Sequence, residues 1–199
     1  MNQSYSEILD AHRAQRREAL LLAAAEVLNE RGLRKATMEQ VAQHAGVSKV
    51  VLYRYFKSKD RLVDAVLCDM IDAMLAADEE PANWWTERVR RTLTVSRRNP
   101  AALQLLVRQA SHDPVHGKRF EELSDAFSRR VLEREAEILG PPEGTPADSM
   151  MMANAVTAFL FDAYVRWIDD GRPDEDDRFL KWITQSVRAM VYYWRGIDP

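Results

Sequence analysis

Residues 44–60 read HAGVSKVVLYRYFKSKD, and the interpretation of the whole chain turns on them. Lys49, Arg54, Lys57 and Lys59 fall within eleven residues, interleaved with Tyr53, Tyr55 and Phe56, and the stretch holds one acid, Asp60. The chain as a whole carries a formal charge of −3, so a basic, aromatic island near its start calls for a physical reason.

The charge is unevenly spread. Residues 1–60 hold 10 Lys+Arg against 7 Asp+Glu, a net of +3, and the remainder holds 18 against 24, a net of −6. A swing of this kind suits the first segment alone to a polyanion, although charge by itself leaves chance as an equal reading. At 199 residues the chain can form one substantial core, or a small domain joined to a larger one. Glycine (7) and proline (8) are scarce while Ala, Leu, Glu, Arg and Met are plentiful, and no long Val/Ile/Thr alternation stands out. An all-α fold is expected. The single Cys68 excludes an internal disulfide and reads as a small core residue in an apolar helical run. The start, MNQSYSEILDAH, carries Glu7 and Asp10 and no apolar h-region, and no window has the roughly 18 uncharged apolar residues of a membrane span. A cytoplasmic protein without membrane contact is expected.

Outward from the island, the helix signals are local. Residues 13–31 place Leu20, Ala24, Val27 and Leu28 on one face, with Gly32 as the stop. Thr37 and Gln40 have the spacing of a capping box for a short helix that buries Val41, Ala42 and Ala45. Gly46 breaks that helix, and Ser48 is placed to cap the next, which turns Leu52 and Phe56 inward. Two short helices around Ala45-Gly46-Val47 fit a helix-turn-helix. Ser58 then caps a helix over about 59–78, and Asn83 one over about 84–98. Asn99-Pro100 and Asp113-Pro114 each read as an N-cap followed by proline at the first helical position. GPPEGTP, 140–146, is a loop, and helices over about 147–169 and 174–195 follow, the second with Asp174, Glu175, Asp176 and Asp177 at its positive end. That gives about nine helices.

With Leu52 and Phe56 buried, the island helix presents Lys49, Val50, Val51, Tyr53, Arg54 and Tyr55. A DNA major groove, about 12 Å wide, accepts a helix and has a use for each group. Lysine reaches guanine acceptors, valines meet thymine methyls, and tyrosine hydroxyls and Lys59 bind phosphates. The bland alternative is a solvated charged helix whose tyrosines fill a contact with a neighbour.

The run LLLAAAEVLNERGLRKATMEQVAQHAGVSKVVLYRYFKSKDRL, residues 20–62, resembles the N-terminal domain of the TetR family of bacterial transcription regulators. The matching pattern is Glu30-Arg31-Gly32, Thr37, Val41-Ala42, Ala45-Gly46-Val47-Ser48, Leu52-Tyr53, Phe56 and Lys59. The resemblance implies an all-helical homodimer, each subunit with a three-helix DNA-binding head and a larger body that binds a small ligand and dimerises through its last two helices. It divides the chain into an N-terminal arm at 1–12, a head at 13–57 and an effector-binding and dimerisation body at 58–199. It carries DNA contact onto Thr37, Ser48, Lys49, Val50, Val51, Tyr53, Tyr55 and Lys59. Tyr55 stands where many relatives have histidine, and its phenol does not titrate near neutrality. The expected partners are a double-stranded DNA operator, a small-molecule effector of unknown identity and a second copy of the chain. No cofactor is implied.

Other groupings are weaker. His112 and His116 lie four apart in SHDPVH, but Pro114 separates them and no further His or Cys is near, so no metal site is expected. Arg13, Arg16 and Arg17 suit either phosphate contact or a solvated helix end. Of Trp84 and Trp85, whose rings diverge by about 100° on a helix, one is expected in the core and the other on a ligand pocket. Leu103, Leu106, Val107, Phe120, Phe127, Phe159 and Tyr164 are candidate pocket residues that compete with a plain core role. AVTAFLFDAYVRW, 155–167, and VRAMVYYW, 187–194, are apolar on most sides and need cover, from a partner subunit or from the body itself.

These readings combine into a ligand-responsive repressor that binds a palindromic operator as a homodimer and is released by an effector. The rivals are a helical protein-interaction module with a non-functional helix-turn-helix and a helical enzyme. The chain shows neither a nucleophile–base pair nor a phosphate-binding glycine loop to support the enzyme.

Overall fold

Capping side chains mark the helix starts of the first sixty residues. In the computed structural model, Thr37 Oγ1 accepts from Gln40 N at 3.2 Å while Gln40 Oε1 accepts from Thr37 N at 3.0 Å, a complete capping box. Ser48 and Ser58 accept from Val51 N and Arg61 N. The structure describes the backbone of residues 2–82, 84–140 and 146–197, and the side chains of 7–82, 84–140 and 148–197. Over these residues it is all helix. α1 spans Asn2–Arg31, α2 Met38–His44, α3 Lys49–Phe56, α4 Lys59–Glu79, α5 Trp85–Arg98, α6 Pro100–Gln104, α7 Gly117–Leu139, α8 Pro146–Asp170 and α9 Asp176–Trp194. The proposed cap Asn83 and the loop residues 141–145 lie outside the described residues.

The turn between α2 and α3 closes with Val47 N donating to Ala42 O at 3.0 Å and Gly46 N to Gln43 O at 3.2 Å, with Gly46 at φ 64°. This pair of bonds is the Schellman arrangement, which needs a left-handed residue where Gly46 stands. Leu20, Leu21, Ala24, Val27 and Leu28 of α1 are buried with Met38, Val41 and Ala42 of α2, Leu52 and Phe56 of α3 and Leu62, Val63 and Val66 of α4. Ala45 is only half-buried. Lys57, at φ 64° and ψ −40°, ends α3, and Ser58 N bonds Phe56 O at 2.7 Å. That tight γ-turn swings the chain directly into α4.

Three expectations are corrected. The first helix begins at Asn2 rather than near residue 13, so residues 2–12, expected as an N-terminal arm, are helical. Asp113-Pro114 does not start a helix: Asp113 Oδ1 accepts from Val115 N and His116 N in a turn, and α7 begins at Gly117. Cys68 is half-buried on α4 rather than in the core.

Head and body meet along α1, α4 and the segment after α6. There the helix widens over Leu105–Gln109, where Ala110 N reaches Leu105 O in the i→i+5 pattern. A turn of that width brings residues five apart onto one side. Gln104 Oε1 accepts from Asn29 Nδ2 at 2.6 Å, and Gln109 Nε2 donates to Asn29 O at 2.9 Å. Gln109 Oε1 in turn accepts from Leu33 N at 3.3 Å. Asp169 of α8 receives Gln104 Nε2 and Arg108 Nη2, so the end of α1 is linked through Gln104 to α8.

In the body α4 packs on α5, α7 on α8, and α9 on both α5 and α8. Two polar knots hold these layers. Arg97 grips Asp176 with both arms of its guanidinium, Nε at 2.7 Å, and Trp167 Nε1 adds a bond at 2.7 Å. Burial opposes the Asp176 carboxylate, but the bonds from Arg97 and Trp167 outweigh it and hold its pKa below the ordinary value. Deeper still, Asp78, 3% exposed, accepts from Arg130 Nη1 at 3.1 Å and from both Nη atoms of Arg134, joining α4 to α7. Removing one side of such a buried knot leaves guanidinium charge uncompensated. Asp78→Ala should therefore lower unfolding stability by about 3–5 kcal/mol. Urea denaturation at one fixed protein concentration measures this, and a loss under about 1 kcal/mol would place Asp78 among ordinary surface pairs.

Candidate nucleic-acid interface and body cavities

α3 divides into two arcs. Leu52 and Phe56 face inward, while Lys49, Val50, Tyr53 and Arg54 share the outer arc, Val50 78% and Tyr53 39% exposed. Val50 touches solvent over most of its surface, a placement that folding alone does not reward. Lys49 Nζ sits 5.9 Å from the Tyr53 ring centroid, so the two side chains run together along the arc. Thr37 and Ser48 are exposed beside it, each with its side-chain oxygen engaged in capping. Arg54, expected on the presented side of the helix, shares the arc with Val50.

Three of the residues named from sequence lie differently from the rest. Val51 is half-buried at the edge of the arc. Tyr55 turns to the opposite flank, its ring 6.1 Å from Phe56, and packs against the core. It lines a groove of about 530 Å³ with Leu9, His12, Arg13, Arg16 and Arg54. The extended α1 thus brings Arg13 and Arg16 beside α3, while Arg17 pairs with Asp69 at 3.6 Å. Lys59 Nζ donates to Arg34 O at 2.8 Å, which ties the start of α4 to the loop before α2.

The nine body candidates separate. Leu103 and Leu106 are fully buried, and Phe127 packs edge-on against Phe161 with centroids 5.3 Å apart. Tyr164 is core as well: its hydroxyl lies 2.9 Å from Thr92 Oγ1 and donates to Val89 O. Burial pushes its pKa up, with the Thr92 bond opposing. Val107 and Phe120 are half-buried against the same core. Phe159 is half-buried against the core, its ring 5.8 Å from Trp182. Trp84, 77% exposed, and the half-buried Trp85 line a cleft of about 380 Å³ between the start of α5, the end of α7 and α9. Val131, Ile138, Val187 and Val191 supply apolar walls, and Arg134, Glu135 and Arg188 the charge. These α7 and α9 residues were missed in sequence because only the fold brings the two helix ends together. A wider, open depression of about 870 Å³ lies between Arg108, Trp167, Arg178 and Trp182.

The two histidines of SHDPVH have separate surroundings. His112 Nδ1 lies 2.8 Å from Ser111 Oγ, and His116 Nδ1 3.5 Å from Asp64 Oδ1. Among the described residues no three His, Cys, Asp or Glu side chains gather as metal ligands, and no helix is long and apolar enough to cross a membrane.

Residues 20–66, which run from α1 through the start of α4, match the family model of bacterial regulatory proteins, tetR family. Residues 20–66 therefore carry the N-terminal domain of the TetR family. Among curated relatives it is 28% identical to the HTH-type transcriptional activator FasR of Mycolicibacterium smegmatis, over 94% of this chain and 84% of that protein. It is 42% identical to the HTH-type transcriptional repressor KstR2 of the same species over 30% of this chain and 29% of that protein. Its fold resembles that of a TetR-like transcriptional regulator from Rhodococcus sp. RHA1, with a TM-score of 0.62, 22% identity and coverage of 91% and 94% of the two chains. Both of these curated relatives are transcription regulators.

Two substitutions separate the roles on α3. Tyr53→Ala should weaken binding to all duplexes alike, as loss of a backbone contact does. Lys49→Ala should change which sequence is preferred, by about 1–3 kcal/mol at one base position if the lysine reads a base edge. Competition binding over a duplex library distinguishes them, and an unchanged preference in Lys49→Ala would remove that residue from base readout.

Proposed function

We propose that the protein is a homodimeric, ligand-responsive repressor that binds a near-palindromic operator and is released by a small-molecule effector. The observation that carries this is the outer arc of α3, whose Lys49, Val50 and Tyr53 are exposed on a helix fixed from behind by Leu52 and Phe56. In this reading Lys49 reaches base acceptors, Val50 and Val51 meet thymine methyls, and Tyr53 and Lys59 bind phosphates. Thr37 and Ser48 contribute backbone contacts. Tyr55, on the flank of α3, acts together with Arg13, Arg16 and Arg54, whose positive groove suits the phosphates beside the main site. The protein would act in the cytoplasm, where the DNA is.

Dimerisation is supported by an apolar band across α8 and α9. Met151, Ala155 and Ala158 on α8 are exposed at helical spacing, as are Trp182, Ala189 and Tyr193 on α9. Tyr193 is 87% exposed and Trp182 51%, and pairing with a second copy would cover both. Two α3 helices would then enter successive major grooves about 34–36 Å apart. An effector shifts this geometry only if it binds the two states unequally.

The opposite sign of control, activation, is a second reading, favoured by the likeness to the activator FasR over 94% of this chain. Selection from random duplex DNA at a stated moderate salt tests the common core. An inverted repeat supports it, and transcription in vitro from a promoter bearing that repeat then separates repression from activation. Recovery of no sequence, with Tyr53→Ala indistinguishable from wild type, would contradict DNA reading and favour a protein-interaction module. The dimer has its own test. Ala158→Arg places a charge in the band and should give a monomer by light scattering, with operator affinity lost; an intact dimer would move the interface elsewhere.

A further inference from the structure

The cleft between α5, α7 and α9 has an unequal charge balance. Arg130 and Arg134 are held by Asp78 and Glu79, and Glu135, 4% exposed in its side chain, sits 3.3 Å from Arg195 Nη1. Arg188 remains. It is exposed, its guanidinium lies 4.9 Å from the Tyr192 ring centroid, and it has no carboxylate partner among the described residues. Behind it the walls are apolar: Trp85 from α5, Val131 and Ile138 from α7, and Val187 and Val191 from α9. An unbalanced cation at the edge of a low-polarity recess attracts an anion more strongly than it would in open water.

The geometry of α9 keeps this cleft open in a dimer. Thr184, Val187, Arg188 and Val191 recur at i, i+3, i+4 and i+7 and form one stripe on the cleft. Trp182, Ala189 and Tyr193 lie on another side of the helix. A second copy seated on that side leaves the cleft to a small molecule.

We infer that this cleft takes an amphipathic monoanion, with an aliphatic body against Trp85, Val131, Val187 and Val191 and its acid group on Arg188. A volume of about 380 Å³ is within the range of small-molecule sites. A cationic head group would meet Arg134 and Arg188 while the one lining carboxylate, Glu135, is already taken by Arg195. The inference deepens the ligand-responsive reading and rests on it for its regulatory meaning, though the binding itself does not need it.

The test uses the full chain and three probes of one body and different heads: dodecanoate, dodecanol and dodecyltrimethylammonium, each below its micelle-forming concentration. Trp84 and Trp85 sit in the wall, so tryptophan fluorescence reports occupancy. Dodecanoate should bind wild type at least tenfold more tightly than dodecyltrimethylammonium. Arg188→Gln, at an exposed position, should weaken dodecanoate tenfold or more and leave dodecanol within twofold. Tighter binding of the ammonium by wild type, or dodecanoate affinity within twofold in Arg188→Gln, would overturn the inference. A parallel measurement of operator affinity separates the two levels. Arg188-dependent binding of dodecanoate without any change in operator affinity supports the site and counts against its being the effector site. Release of DNA by dodecanoate equally in wild type and Arg188→Gln supports ligand response and overturns this site.

Discussion

A helix of eight residues does not persist alone in water, because isolated helices shorter than about 12–15 residues are marginal. α3 therefore depends on Leu52 and Phe56, each under 5% exposed, and on Ser48 at its start. Burial of side chains of this size contributes about 1.5–3 kcal/mol each, which offsets part of the roughly 1–2 kcal/mol per residue that ordering the segment costs. The γ-turn at Lys57 leaves no slack after α3, so its outer arc is fixed relative to α4. Lys49, Val50 and Tyr53 can face outward because none of them is needed to hold the helix in place.

The body is joined to that arc through α4 and through the end of α1. α4 runs from the end of α3 to Asp78, where the α7 arginines hold it. The second link is the widened turn after α6, where Gln104 and Gln109 both hold Asn29 at the end of α1. Gln104 also bonds Asp169 on α8, the helix that carries part of the exposed apolar band. In the structure α8 is thus joined by hydrogen bonds to α1, and α7 by an ion-pair knot to α4. These are discrete contacts that are either made or broken, the kind of element on which a two-state response is built.

How much of this could be read from the sequence followed from how local each determinant is. Thr37, Ser48, Ser58 and Asn99 cap helices through their own neighbours three residues on, and their helix starts were legible. The outer arc of α3 was legible for the same reason, since burial of Leu52 and Phe56 fixes which side Lys49 and Tyr53 face. The extension of α1 to Asn2 was not, because residues 2–12 offer only Tyr5, Ile8 and Leu9 at helical spacing, too short a pattern to mark a helix, and Ile8 and Leu9 stay exposed. Asp113-Pro114 misled because an Asp that caps a helix and one that closes a turn bind backbone amides in much the same way. The body residues were the least legible. Whether Phe127 or Tyr164 meets a ligand or the core depends on neighbours thirty to seventy residues away, such as Phe161 and Thr92. Arg188 and Trp85 form one cleft only once α5 and α9 are placed side by side.

The central claim is that two α3 helices, held rigidly by one dimer, read one face of a duplex. The most direct measurement is affinity for the selected inverted repeat before and after insertion of five base pairs between its halves. Five base pairs rotate one half-site by about half a helical turn, given roughly 10–10.5 base pairs per turn. With the two heads fixed by one dimer, affinity should fall to the level of a single half-site. Affinity unchanged by the insertion would contradict it, because the two heads would then bind independently of the dimer that is held to join them.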